Sequence, residues 1–368
     1  MRFALIQKDI QPRRDAVAAA VVRACLAHGH TLSGPDDGIR FVLNLTDPAT
    51  PRAFRRRAQS VFVFSFIALD RRPGNLRALC YETLVRTLSN VLLCAVPGNE
   101  NAGPEPGLAW DVCCTTPEAG FYVLPVDGER IYERLAPIAG AHFAIGNNLA
   151  VDLPERLWET SPIVEDLKAF GRKLDSLGVL PAPFPLRDFL SEDQIRHIYA
   201  IFEMTGLSYG NLSAREAVPE TGPGTFWMTA RGADKARLAK IGKDILLVAG
   251  IDAGSGRIRL SLPPGYWPRA RVSVDAVEHE LIYRTFPEVG AIVHVHAWMD
   301  GVPCTHQNYP CGTRELAEDV VALLRTTSAP GRAEVGLKNH GLTLTGPCLE
   351  DIFSRLRGRL RTQVEMAA

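Results

Sequence analysis

The sequence predicts an α/β protein of two domains, an open α/β domain over residues 1–158 and a second α/β domain over residues 159–368. Three observations carry this expectation. The chain has 368 residues, 46% of them hydrophobic and 22% charged, which is the size and composition of a two-domain globular protein. Its first part alternates strand-like and helix-like stretches, the mark of a largely parallel sheet with crossover helices. Near Leu153 to Pro162 that pattern changes, and the boundary falls near residue 158.

The elements follow in order. Arg2 to Gln7 reads as a strand, and Asp15 to His28 as a helix with an Ala/Val-rich face. Ile39 to Leu45 and Ser60 to Leu69 read as buried strands, with Leu76 to Leu88 a helix and Val91 to Val96 a further strand. Pro97 to Pro106, rich in Gly, Asn and Pro, is a loop. Gly120 to Val126 is a strand, and a helix follows from Gly128 to Ile138. Neither Gly-x-Gly-x-x-Gly nor a P-loop occurs in this part, so it is assigned no nucleotide. Beyond the boundary, Val164 to Leu177 is a helix ending at Gly178, and Pro181-Ala182-Pro183-Phe184-Pro185 cannot lie inside one.

Charge excludes several partners. Lys+Arg is 41 and Asp+Glu is 41, so the formal net charge is zero, and nothing points to nucleic acid or an acidic membrane. The start, Met1-Arg2-Phe3-Ala4-Leu5-Ile6-Gln7-Lys8-Asp9, carries charge where a secretory signal is apolar. The longest apolar runs are too short to span a bilayer, and the expected location is the cytoplasm. None of the eight cysteines forms a Cys-x-x-Cys pair, and scattered cysteines in such a chain read as reduced, buried hydrophobes. Cys304 and Cys311 flank the histidine region and have the alternative reading of lining a site.

The chemistry concentrates late in the chain. The apolar run Val289-Gly290-Ala291-Ile292-Val293 reads as a strand that leads into His294-Val295-His296. In a strand, residues two apart face the same way, about 6.5–7 Å from each other. Glu334-Val335-Gly336-Leu337 leads in the same way to Asn339-His340-Gly341. One such histidine reads as an ordinary strand or turn residue. A same-face pair plus a third reads as a site for a divalent metal, with zinc, iron(II), manganese(II) and cobalt(II) as the candidates. Asp275 precedes the helix-like stretch Ala276 to Phe286, where pattern alone makes it an N-cap and chemistry offers it a role as general base. Gly210-Asn211-Leu212-Ser213 and Thr229-Ala230-Arg231-Gly232 read singly as turns. Their backbone N–H groups, with the Arg231 guanidinium, are also suited to an anion.

Taken together and in order, these elements resemble the class II aldolase/adducin family over roughly residues 160–350. Leu167 to Leu174 is similar to the family's opening helix. Gly210-Asn211-Leu212-Ser213-Ala214-Arg215 resembles its Gly-Asn-(Ile/Leu/Val)-Ser-x-Arg signature, and Thr229 to Gly232 its Thr-Pro-Ser/Thr-Gly turn. His279-Glu280-Leu281-Ile282-Tyr283-Arg284 running through Phe286-Pro287 into the histidine pair is also similar, as are Gly312-Thr313-Arg314-Glu315-Leu316 and Asn339-His340-Gly341.

The resemblance implies an α/β/α sandwich, assembled as a C4 homotetramer with sites between subunits. It implies a divalent metal, commonly zinc, on His294, His296 and His340. The matching acid/base position is Asp275, which raises the functional reading above the cap, and Gly210, Asn211, Thr229, Arg231, Gly232 and Ser273 fall at substrate- or anion-binding positions. The activity implied is a metal-dependent lyase on a small oxygenated acid or sugar-like substrate, by retro-aldol cleavage or decarboxylation through an enediolate. The alternatives are a sugar-phosphate epimerase, an iron(II) oxygenase on the same fold, and a non-catalytic adducin-like scaffold.

This sequence departs from the family in four places. Ala297 to Cys311 is shorter than in sugar-phosphate aldolases and lacks their loop acid, Tyr309 and His306 being the candidates to replace it. Val274 stands where a second Ser is usual, and Arg231 where Thr or Ser is usual. The stretch Pro181 to Ser208 is an insertion. Residues 1–158 lie outside the pattern.

Overall fold

The computed structural model describes residues 1–35, 38–56, 60–98, 110–117, 120–143, 146–180, 191–193, 195–196, 208–252, 254–356, 358–362 and 364. Cα packing divides them into two units, Met1–Ala141 and His142–Val364. The sequence places the boundary near residue 158, whereas Asn147–Ala150 is a strand of the second unit's sheet.

The first unit is built on a sheet of β1 (Arg2–Ile6), β2 (Thr31–Leu32), β3 (Phe41–Leu45), β4 (Phe62–Ala68), β5 (Val91–Pro97), β6 (Trp110–Thr115) and β7 (Phe121–Pro125), in the order β2-β1-β3-β4-β5-β6-β7. The first four pairings are parallel, as the sequence predicts, and the last two are antiparallel. Strands β3, β4 and β5 are buried almost throughout, which is why they read as unbroken apolar runs. Strand β6 was not expected. Its sequence, Trp-Asp-Val-Cys-Cys-Thr, neither alternates cleanly nor forms an apolar run, although its last four residues are buried.

Three helices accompany this sheet. Helix α1 (Pro12–Ala27) starts with proline in its first turn, where no N–H is needed. In α2 (Leu76–Thr87) the Asn75 side chain accepts from Ala78 N at 3.1 Å, and in α3 (Gly128–Gly140) Asp127 accepts from Glu129 N at 2.8 Å. Five of the eight thiols, Cys25, Cys80, Cys94, Cys113 and Cys114, are buried here. Desolvation pushes Cys25 up to about 11 and Cys113 up to about 12, so these are inert packing groups, as expected. Of the loop read at 97–106, residues 99–106 lie outside the described residues.

The second unit holds an eight-stranded sheet. Its strands are β8 (Asn147–Ala150), β9 (Asn211–Arg215), β10 (Phe226–Thr229), β11 (Ile245–Ile251), β12 (Ile258–Ser261), β13 (Ala291–Val295), β14 (Glu334–Leu337) and β15 (Gly341–Gly346). They run in the order β14-β15-β13-β9-β10-β11-β12-β8. Every pairing is antiparallel except β12 with β8. Helices α4 (Pro162–Ser176) and α7 (Leu349–Leu356) pack on each other and on β9, β13 and β15, while α5 (Ala276–Thr285) and α6 (Arg314–Arg325) pack on each other and on β11 and β14. Ser161 caps α4 by accepting from Val164 N at 3.2 Å, and Thr313 caps α6 by accepting from Leu316 N at 3.3 Å. Most of the insertion at 181–208 lies outside the described residues. No helix among the described residues is long and apolar enough to cross a membrane.

Candidate metal centre

Strand β13 lies between β15 and β9, and its register sets the centre. His294 pairs with Thr343 of β15 on one side and with Asn211 of β9 on the other. Cross-strand partners share a face, so Thr343, His294 and Asn211 form one row of side chains. His296 follows one residue past the strand end, and His340 sits in the tight turn from β14 to β15.

That turn demands an unusual backbone. Asn339 adopts φ 57°, a left-handed conformation Asn tolerates, and His340 N donates to Leu337 O at 3.0 Å. Gly341 must be glycine, because a Cβ there would stand 2.2 Å from the Val295 carbonyl oxygen. Gly210 meets the same strand: its φ is 70°, and a Cβ would stand 2.6 Å from the His294 carbonyl oxygen.

The three imidazoles converge as the sequence implies. Their ligand atoms all lie within 4.8 Å of one another, with His296 Nε2 and His340 Nε2 3.2 Å apart. His294 Nδ1 donates to the Leu342 carbonyl at 3.0 Å, which leaves the lone pair on Nε2. That Nε2 is buried with no hydrogen-bond partner, as is His296 Nδ1. Burial pulls the pKa of His294 below the usual imidazole value and those of His296 and His340 well below it. The rings are therefore neutral at neutral pH and have lone pairs to give. A divalent ion fits this donor set: three neutral nitrogens, one anchored through a backbone carbonyl, with an orphaned acceptor aimed at the shared point.

Asp275 stands at the N-cap position of α5, but its side chain caps nothing. Its Oδ2 instead accepts from Asn211 Nδ2 at 2.7 Å and from Ser273 Oγ at 3.4 Å, and Oδ1 is buried without a partner. The capping reading from pattern alone therefore gives way to a carboxylate held toward the His294 row. One turn later on α5, Glu278 is 2% exposed and accepts from Thr343 Oγ1 at 2.6 Å. Burial, reinforced by the Asp275 charge, pushes Glu278 up to about 8. The two residues flanking His294 in the row, Asn211 and Thr343, thus each hold one carboxylate of the same helix turn.

The remaining sequence candidates take different places. Ser273 Oγ accepts from Asn211 Nδ2 at 3.2 Å, which draws Asn211, Ser273 and Asp275 into one cluster. Thr229 is fully buried, and its Oγ1 accepts from Leu212 N at 3.3 Å, a bond internal to the sheet. Gly232 takes φ 69° in the turn after β10, and Arg231 N donates to Arg271 O at 2.8 Å. Tyr309 is raised by burial and by the acidic groups Asp319, Glu315 and Glu318 of α6. Ser213 and Arg215 of the signature act structurally. Ser213 Oγ lies 2.7 Å from both His279 Nδ1 and Tyr283 Oη, and Arg215 donates to the Val289 carbonyl at 2.6 Å.

Sequence reasoning missed four groups. Glu278 and Thr343 are one pair. Lys235 is another, 1% exposed, with its ammonium donating to the Ser208 carbonyl. Desolvation lowers Lys235 to about 7, against the opposing pull of the Asp275 and Asp234 charges. Tyr209 is the fourth, its ring 4.9 Å from that of His296. The helix period of α5 was the signal for Glu278, since 275 and 278 share a face.

Residues 194–299 match the family described as Class II Aldolase and Adducin N-terminal domain. Similar solved structures include an L-fuculose 1-phosphate aldolase at 17% identity, TM-score 0.36, covering 54% of this chain and 82% of that one. YgbL from Klebsiella pneumoniae, titled a putative aldolase/epimerase/decarboxylase, is similar at 20% identity, TM-score 0.32, covering 52% and 82%. An aldolase II superfamily protein from Pseudomonas syringae is similar at 18% identity, TM-score 0.31, covering 54% and 72%. No curated protein matches the chain.

Proposed function

We propose that this protein is a divalent-metal-dependent lyase that cleaves a C–C bond, by retro-aldol cleavage or decarboxylation, in a small oxygenated acid or sugar-like molecule. One observation carries the reading: Asp275, freed from capping and with an unpartnered buried oxygen, is held by Asn211, the cross-strand neighbour of His294, one of three neutral imidazoles that share one point. An ion bound there, zinc by preference, supplies Lewis acidity toward a substrate oxygen.

The chain's own residues supply the rest. His294, His296 and His340 hold the ion. Asp275 Oδ1 takes a proton from substrate or returns one, while Asn211 keeps Oδ2 fixed by its 2.7 Å bond. Glu278, neutral by burial, adds no second negative charge beside Asp275. Gly210, Gly232, Ser273 and Arg231 surround the substrate, Arg231 matching a carboxylate as well as a phosphate. The reading includes assembly as a homotetramer in the cytoplasm, with no nucleic-acid or membrane partner.

Elemental analysis of protein purified without chelator and under nitrogen tests it, with His294→Ala alongside. About one zinc, cobalt or manganese per chain, lost in the variant, together with aldehyde or CO₂ release from a panel of hydroxy acids, is the expected result. Iron in place of these metals moves the oxygenase reading to first place, and absence of metal from both proteins overturns the catalytic reading.

A further inference from the structure

We propose that the buried ammonium of Lys235 binds the carboxylate of the substrate, so that the molecule taken at this centre is a hydroxy acid and not a neutral sugar or a phosphate ester. The inference rests on the lyase reading above and deepens it by fixing the charge its substrate carries.

Lys235 is a charge that the fold buries and does not balance. An ammonium has three N–H donors. Here the acceptor is the Ser208 carbonyl, and among the described residues no carboxylate pairs with the group. Arg14, the buried cation of the first unit, is met by two, Asp9 at 2.6 Å and Asp15 at 2.8 Å. A buried charge left without a counter-charge is costly, and natural proteins rarely keep one without a use for it.

Its position points to that use. Ser208 opens the run Ser208-Tyr209-Gly210, which closes on the three imidazoles. The Tyr209 ring lies 4.9 Å from that of His296, and a Cβ on Gly210 would stand 2.6 Å from the His294 carbonyl oxygen. The backbone that carries Lys235 is fixed. Its N–H donates to Ser208 Oγ at 3.5 Å, and the Asp234 side chain accepts from Ala236 N at 3.0 Å. From α4, a Cβ on Gly171 would stand 2.2 Å from the Lys235 carbonyl oxygen. Electrostatics places the ammonium beside the same groups. Desolvation lowers its pKa to about 7, with the Asp275 and Asp234 charges pulling the other way. Behind burial, its own charge helps to hold His294 and His296 neutral. His294, His340, Asn211 and Asp275 are buried as Lys235 is, so a molecule that reaches them enters the enclosure it shares.

Charge and donor count select the ligand. A carboxylate brings one negative charge to one ammonium, and two acceptor oxygens to the N–H groups that Ser208 leaves open. A phosphate ester brings nearly two charges, one more than Lys235 meets, and sets the excess against Asp275. A neutral sugar leaves the ammonium as unbalanced as before.

Ligand titrations on the zinc-loaded full chain test this, with glycerate, its neutral amide glyceramide and inorganic phosphate as probes. The wild type should bind glycerate at least about tenfold more tightly than glyceramide, the worth of a charge-assisted hydrogen bond. Lys235→Met, which keeps the length and loses the charge, should bring glycerate to the level of glyceramide. It should leave zinc per chain unchanged and melt, ligand-free, at or above the wild-type midpoint. Equal affinity for glycerate and glyceramide in the wild type, a result that needs no variant, overturns the proposal. So does glycerate binding undiminished in Lys235→Met, or a ligand-free midpoint far below that of the wild type, which makes Lys235 a structural group. Phosphate that outcompetes glycerate, and loses its affinity in the variant, assigns the ammonium to phosphate and overturns it too. A wild type that takes up no zinc overturns the lyase reading and this inference with it, whereas zinc uptake without the preference for glycerate overturns the role of Lys235 alone.

Discussion

Two clusters of buried polar side chains, one on each sheet, are built in opposite ways. In the first unit, Asn44 Nδ2 donates to Ser65 Oγ and to the Arg52 carbonyl, each at 2.9 Å. Ser65 Oγ meets Ser89 Oγ at 2.6 Å, and Ser89 meets Thr87 at 2.8 Å. Arg14, fully buried, is neutralised by Asp9 at 2.6 Å and Asp15 at 2.8 Å. These groups complete one another. In the second unit, the set around β13 does not close: Asp275 Oδ1, Asn211 Oδ1, His294 Nε2 and His296 Nδ1 all lack partners. Leaving a buried polar atom unmet costs roughly 1–3 kcal/mol. Four such atoms around one row of side chains mark a place that ligands, rather than the fold, are built to satisfy.

That contrast can be broken by experiment. The largest effect is expected from His296→Ala. Bound metal should fall to near zero and turnover with it, while the metal-free variant melts within a few degrees of the metal-free wild type. Unchanged metal stoichiometry would show that the ligands are elsewhere.

Next comes Asp275→Asn, which should retain metal but lower turnover about 10²–10⁴-fold, the usual worth of a positioned acid/base group. Its thermal midpoint should hold or rise, since a buried, half-satisfied charge is removed. Full activity in this variant would return Asp275 to a structural role.

Asn44→Ala should do the reverse. Opening the closed network should cost about 1–3 kcal/mol in denaturant unfolding and leave metal content untouched. A variant of wild-type stability would erase the distinction drawn between the two sheets.

A further test is a pH dependence. Glu278 is raised in the folded protein from an ordinary 4.5 to about 8. Between those values the folded chain keeps a proton that the unfolded chain has lost, so stability falls as pH rises from 4.5 towards 8 and is flat beyond. In metal-free protein, Glu278→Gln should flatten that slope, and parallel pH–stability curves for the two proteins would show that Glu278 is already ionised.

Much of this was legible in the sequence. The apolar runs that became β3, β4, β5 and β13 have one dominant cause, burial, and burial is written in composition. The histidine pair was legible because a period of two survives even at the end of a strand. What escaped depends on long-range register. Glu278 meets Thr343 across 65 residues of chain, and no local pattern in α5 says which strand lies beneath it. Lys235 went unread because nothing nearby in sequence announces that its ammonium will be buried against the Ser208 carbonyl. Asp275 was ambiguous for a different reason, since a cap and a catalytic carboxylate occupy the same helix position and differ only in where the side chain turns. Strand β6 escaped because its mixed sequence is buried at one end and half-exposed at the other.

The Thr343–His294–Asn211 row also makes strand pairing countable. Sliding β13 by one residue would turn His294 to the opposite face and bring Val293 or Val295 into its place. A chain folded in that slipped alignment would look native by helix content and compactness, yet of the three imidazoles only His340, which β13 does not carry, would remain at the centre. Metal bound per chain is then a census of correctly aligned molecules in a preparation, and a fractional stoichiometry after refolding measures an error of assembly that spectroscopy of the backbone would pass over.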